Sequence, residues 1–136
     1  MTDLQGSLMG VIPFLAYFAS ALILLFGFCI IYTRITPHRE MALIKQNNIS
    51  AALSFSGAML GFSLPIASAA ANSVDLVDFL VWGVIAGIVQ IITYLVFRLF
   101  YPKVSQRIED GEIAIGIHLA TVSLAVGWLN AASMTY

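Results

Sequence analysis

Arg34-Ile35-Thr36-Pro37-His38-Arg39-Glu40-Met41-Ala42-Leu43-Ile44-Lys45 and Arg98-Leu99-Phe100-Tyr101-Pro102-Lys103-Val104-Ser105-Gln106-Arg107 together hold all 6 Lys and Arg residues of the chain. Each stretch lies between two long apolar runs, and the segments outside them carry no basic side chain. Cytoplasmic loops of membrane proteins retain positive charge, so this distribution predicts both basic loops inside and both ends outside. The composition agrees: 60% of the 136 residues are hydrophobic and 10% are charged, against roughly 25% charged in a soluble domain.

Four runs reach the roughly 20 residues needed to span a bilayer. They cover about Met9 to Thr33, Ile49 to Ala71, Leu76 to Phe100 and Ile113 to Met134. The reading is an all-α membrane protein, a single domain over 1–136 with four transmembrane helices. The residues before the first run include Asp3 but no Lys or Arg, and the run exceeds the apolar core of a signal peptide, so it is expected to stay as a helix. Tyr32, Phe100 and Tyr101 mark the inner interface; Phe14, Tyr17, Phe79, Trp82 and Tyr136 mark the outer one. The short outer link Asn72-Ser73-Val74-Asp75 forces the second and third helices to be antiparallel neighbours, with Asp75 as N-cap and Asp78 in the first turn. In the inner loops, Thr36 and Pro37 read as an N-cap and first helical position. Met41, Ile44, Val104 and Ile108 then face lipid on interfacial turns; the alternative is an irregular solvated loop.

The halves resemble each other. Moving the first along by 64 positions brings Arg34 onto Arg98, Ile49 onto Ile113 and Ala67 onto Ala131. The expectation is two parallel, same-orientation two-helix repeats, about 8–71 and 76–134, related by an axis along the membrane normal.

Inside the spans, Gly57 and Gly61, then Gly83 and Gly87, suit close helix packing, as do Gly116, Ala120, Ser123 and Gly127. Pro65 interrupts the second helix and frees the Gly61 carbonyl; Asn130, at similar depth, is the candidate donor to it. Ser54, Gln90, His118 and Asn130 are either partners in inter-helix hydrogen bonds, worth about 0.6–2 kcal/mol each, or the lining of a polar pathway. His118 is an intramembrane ionisable group and so a functional candidate, yet it lies shallow and has no acidic or basic partner within a span. His38 sits in a loop, and the two histidines have no cysteine near them, so no metal site is expected. Cys29, the single cysteine, reads as a small buried hydrophobe. No phosphate-binding Gly-rich loop, dinucleotide fingerprint or nucleophile elbow is present. An enzyme, a cofactor and nucleic-acid binding are not expected. Glu109, Asp110 and Glu112 beside Arg107 read as a solvated loop cluster.

Ile35 to Glu40, Leu43 to Asn48, Phe55-Ser56-Gly57, Leu60-Gly61, Pro65, Ser68-Ala69-Ala70 and Asn72 resemble the YjfL family of bacterial inner-membrane proteins. The resemblance continues through Asp78, Trp82-Gly83, Gln90 and Arg98 to Asn130–Tyr136, with Ser133 where a cysteine is expected. It implies small four-helix proteins carrying an uncharacterised domain, both termini on the periplasmic side, and an envelope-stress setting. It also implies partners similar to the membrane-remodelling phage-shock protein A or to ATP-grasp enzymes. The leading expectation is an accessory or scaffolding protein. It docks such partners, or the anionic lipid bilayer, through Arg39, Lys45, Lys103 and Arg107. The alternative is a small channel or transporter whose pathway runs between subunits of a homo-oligomer, because four helices alone enclose little space.

Overall fold

A computed structural model describes residues 2–134. Seven helices follow one another: α1 (Thr2–Met9), α2 (Val11–Ile35), α3 (Glu40–Lys45), α4 (Ile49–Asn72), α5 (Leu76–Phe100), α6 (Val104–Glu109) and α7 (Ile113–Ala132), with no strand among the described residues. Four stretches are long and apolar enough to cross a membrane: Asp3–Ile35, α4, α5 and α7. Tyr136 lies outside the described residues.

The helix boundaries have local causes. Pro13 has no N–H for the Met9 carbonyl, so the chain breaks between α1 and α2 at Gly10. Thr36 is extended, as the residue before a proline tends to be. Asn47 (φ 65°) takes the left-handed conformation that turns the chain out of α3. Asn48 caps α4 by accepting from the Ala51 N–H at 2.9 Å. Asp75 accepts from the Asp78 N–H at 2.8 Å while Asp78 accepts from the Val74 N–H at 2.9 Å, so the cap of α5 is reciprocal, in the manner of a capping box. Gly111 (φ 79°) ends α6 in the left-handed region, its N–H bonding the Ile108 carbonyl at 2.9 Å.

The inner loops differ from the expectation drawn from their prolines. Pro37 does not start a helix; α3 begins at Glu40. Thr36 instead closes α2: its N–H bonds the Tyr32 carbonyl at 3.0 Å and its hydroxyl the same carbonyl at 3.1 Å. The short helices do form, yet Val104 and Ile108 are fully buried rather than lipid-facing, and Ile44 packs against the core. Met41 remains exposed. The apolar faces of α3 and α6 fold under the bundle because its open end offers them more buried contact than an interface would.

α4 is the central element. Ser50, Ala51, Ser54, Phe55, Gly57, Ala58, Gly61, Phe62, Pro65, Ile66 and Ala69 are all buried, a spacing of threes and fours that covers more than one helix face. Its small residues meet those of α7: Ser50 lies against Gly116, Gly57 against Ala120, and Gly61 against Ser123 and Gly127. The numbers rise together, so α4 and α7 run in the same direction. A side chain at Gly57, Gly61, Gly116 or Gly127 would overlap the opposing backbone, so backbone approaches backbone and dispersion contacts replace side-chain interdigitation. α2 lies outermost, burying only Phe28 and Tyr32, against α4 and α5.

Candidate functional site

The polar residues within the spans do not gather. Ser54 is buried and donates back to the Ala51 carbonyl of its own helix at 3.1 Å. Gln90 crosses over Gly61 to donate to the Ser123 carbonyl at 3.1 Å. His118 is exposed at the edge of a groove between α5 and α7, its ring 5.5 Å from those of Phe97 and Tyr101. Asn130 is half-buried, and its Nδ2 has no hydrogen-bond partner. No hydrogen bond joins any two of the four among the described residues.

Asn130 does not serve the carbonyl freed by Pro65. The Gly61 oxygen instead faces the Cα of Gly127, where a Cα–H can act as a weak donor. Packing is so tight at this point that the neighbouring backbone reaches the oxygen before any side chain does. Gly83 and Gly87 pack against side chains rather than against backbone. They seat side chains, Leu24 and Ile66 on Gly83 and Phe62 on Gly87, and line a groove of about 400 Å³ between α2 and α5.

The polar centre of the molecule lies at the end carrying the basic loops. His38 and Glu40 have side chains with 0% exposure, although both sit in a loop or at its first helical turn. The sequence places His38 in a loop and gives Glu40 no role of its own. The available signal was only the closeness in sequence of Thr36, His38 and Glu40, three polar side chains around Pro37 where the chain bends. The His38 Nδ1 lies 2.9 Å from the Ser105 hydroxyl of α6. Its Nε2 lies 3.2 Å from the Glu40 Oε1, an ion-pair distance but off the line of a good hydrogen bond. The Thr36 hydroxyl, with one proton to give, is shared between that carboxylate oxygen and the Tyr32 carbonyl. Tyr94 of α5 has its hydroxyl 3.5 Å from that of Ser105, and its ring meets Tyr32 of α2 edge-on at 5.4 Å. Thr36, Tyr32 and Tyr94 are buried and Ser105 is partly exposed. The Glu40 Oε2 and the Tyr32 hydroxyl are buried without a hydrogen-bond partner.

A second bridge joins the loops. The Asn48 amide donates to the Ile108 carbonyl at 2.8 Å and reaches that of Glu109 at 3.3 Å. Loop one and loop two, some 60 residues apart in sequence, thus form one body. Of the cations assigned to docking, Arg39, Lys45 and Lys103 stand exposed on it, whereas Arg107 is engaged by Glu112 of its own loop at 3.1 Å. With imidazole and carboxylate sealed, this set offers hydrogen bonding that ties the two loops together. Among the described residues no three His, Cys, Asp or Glu side chains cluster as metal ligands.

Comparison with known proteins identifies the setting. Residues 6–134 match the model of a domain of unknown function, DUF350. The chain is 42% identical over 125 residues to the UPF0719 inner membrane protein YjfL of Escherichia coli K12, covering 92% of this chain and 95% of that protein. It is 24% identical over 121 residues to the UPF0719 transmembrane protein YshE of Bacillus subtilis, covering 88% and 90%. No solved structure matches it.

Proposed function

The chain belongs to the DUF350 family, and its similarity to inner membrane proteins fits a multi-pass protein of that membrane. From that premise we propose that it is an accessory protein presenting a preassembled basic platform to the cytoplasm, with both termini on the periplasmic side. The observation that carries this reading is the stitching of the two basic loops by His38–Ser105 and by Asn48 onto Ile108 and Glu109. A connection that merely returned the chain to the membrane would need no bond to the other loop. Ordering both loops in advance lowers the entropy lost when a partner binds. Arg39, Lys45 and Lys103 then meet an acidic protein surface or anionic headgroups, each contributing about 1 kcal/mol near such a surface.

The channel or transporter reading has less support. Between α4 and α7 the backbones close on one another, and the buried polar side chains there are engaged by backbone, Ser54 within its own helix and Gln90 across to the Ser123 carbonyl of α7. The two-repeat reading is supported by α4 facing α7 in the same direction, each residue opposite one near the offset read from Arg34 and Arg98. No enzymatic role, cofactor or nucleic acid enters this proposal. The partner expected from the family resemblance is a membrane-remodelling or ATP-grasp protein.

The test replaces Arg39, Lys45 and Lys103 with Gln, singly and in pairs, leaving enough basic charge for orientation. Partner capture from native membranes and binding to anionic vesicles should weaken stepwise, about fivefold for each cation removed. Gln90→Leu and His118→Leu should leave both unchanged. Undiminished binding by the loop variants, or solute flux in liposomes lost with a folded Gln90→Leu protein, would overturn the proposal.

A further inference from the structure

We propose that the groove between α2 and α5 holds one acyl chain of an anionic phospholipid, whose phosphate is bound by Arg34 and Arg98. The site is separate from the platform, which uses other cations, and it needs only that these helices span the membrane. Ile23, Gly27 and Ile31 line the groove from α2, and Val84, Ile88 and Ile91 line it from α5. These positions recur every third or fourth residue, so each set is one stripe of its helix. Gly27 keeps the groove open, because a carbon added there meets nothing within 4 Å. Seven residues make close to two helical turns. Arg34 therefore stands on the stripe of Gly27, and Arg98 on that of Val84 and Ile91. Leu95, Arg98, Leu99 and Pro102 border a second hollow, which prolongs the α5 stripe past the end of the helix. Both arginines are exposed, and among the described residues neither forms an ion pair.

Depth and charge choose the occupant. On α2 the groove reaches down to Ile23, about 16 Å below Arg34 at roughly 1.5 Å per residue. That matches half of a hydrocarbon core about 30 Å thick, so the groove serves one leaflet, on the side of the basic loops. A helix about 10 Å across rests over a groove of about 400 Å³ without entering it, whereas a single chain of methylenes enters. The chain gains dispersion contact with fixed walls but no hydrophobic energy, since it leaves surroundings equally apolar. Selectivity therefore comes from the headgroup. Basic pockets between transmembrane helices on the cytoplasmic side bind phosphate-bearing headgroups, and guanidinium forks match phosphate oxygens. Phe28 stands opposite Gly87, so Arg98 lies about 7 Å farther along than Arg34. Arg stems lie along apolar surface and bring their charged heads to one level at the interface. A zwitterionic lipid carries its own ammonium, which the two arginines repel.

The test reconstitutes the full chain in phosphatidylethanolamine vesicles with a trace of phosphatidylglycerol that carries a photoreactive group at its acyl-chain end. Label should concentrate on residues 23–31 and 83–92 and spare the exposed Leu60 and Leu129. A phosphatidylethanolamine probe with the same photoreactive chain should label diffusely. Unlabelled phosphatidylglycerol should compete, and inorganic phosphate should not. Arg34→Gln and Arg98→Gln should each raise the competing concentration about fivefold. Arg39→Gln and Lys45→Gln, which weaken the platform, should leave it unchanged, so the two readings fail separately. Gly27→Leu fills the groove, keeps both arginines and should lose the label. Should that variant fail to fold, Ile88→Trp, at an exposed lining position, decides the same question. Equal labelling by both probes, competition by inorganic phosphate, or undiminished label in the groove-filling or arginine variants would overturn the proposal. Groove residues shielded at high protein density and labelled on dilution would also overturn it, by assigning the groove to a second copy.

Discussion

Gly127 shows how far a single hydrogen atom carries the packing. Its Cα lies against the Gly61 carbonyl, which Pro65 has deprived of its helical donor. A methyl group there meets backbone on a rigid helix, which cannot rotate away. Gly127→Ala should therefore destabilise the protein by about 1–3 kcal/mol, the cost of overpacking a filled core. Gly27→Ala is the matched comparison, because nothing lies within 4 Å of its added carbon; it should stay within about 0.5 kcal/mol. Thermal unfolding in one detergent measures both, and equal midpoints would remove the backbone-contact account.

Between elements, one side chain does two tasks at the start of α4. Asn48 caps that helix through its oxygen and holds the end of α6 through its nitrogen. Asp75 caps α5 but bonds only within its own turn. Asp75→Ala should cost about 1 kcal/mol, the worth of a cap. Asn48→Ala should cost a further 1 kcal/mol or so for the lost inter-loop bonds. Hydrogen exchange separates the two effects: α6 amides should lose protection in Asn48→Ala and keep it in Asp75→Ala. Unchanged α6 protection in Asn48→Ala would argue that the buried Val104 and Ile108 hold this helix alone.

For the whole molecule, the proposed orientation follows from charge. Ser7→Cys and Val74→Cys, on a Cys29→Ser background, should react with a membrane-impermeant thiol reagent in intact spheroplasts. Gln106→Cys should react only after permeabilisation. All three positions are exposed, so access to the reagent depends on the membrane alone. Reaction of Gln106→Cys with the other two protected would invert the arrangement, and the platform would then face the periplasm.

What the sequence by itself determined about this protein is what depends on one-dimensional pattern. Four apolar runs, two basic loops, the cap at Asp75, and the small residues of α4 and α7 follow from hydropathy, charge and local backbone preference. Each needs only near neighbours in the chain or the bilayer as solvent. The polar centre was legible only in part. Thr36, His38 and Glu40 lie close together in the sequence, yet their burial depends on Ser105, Tyr94 and the inward face of α6, all more than 50 residues away. The partner of the Gly61 carbonyl was hidden for the same reason: matching depth suggested Asn130, but the rotation and separation of two helices decided for Gly127. Hydropathy places a residue along the membrane normal. Which neighbour it meets in the membrane plane is settled by side-chain volume across the whole bundle, and only the tertiary structure carries that.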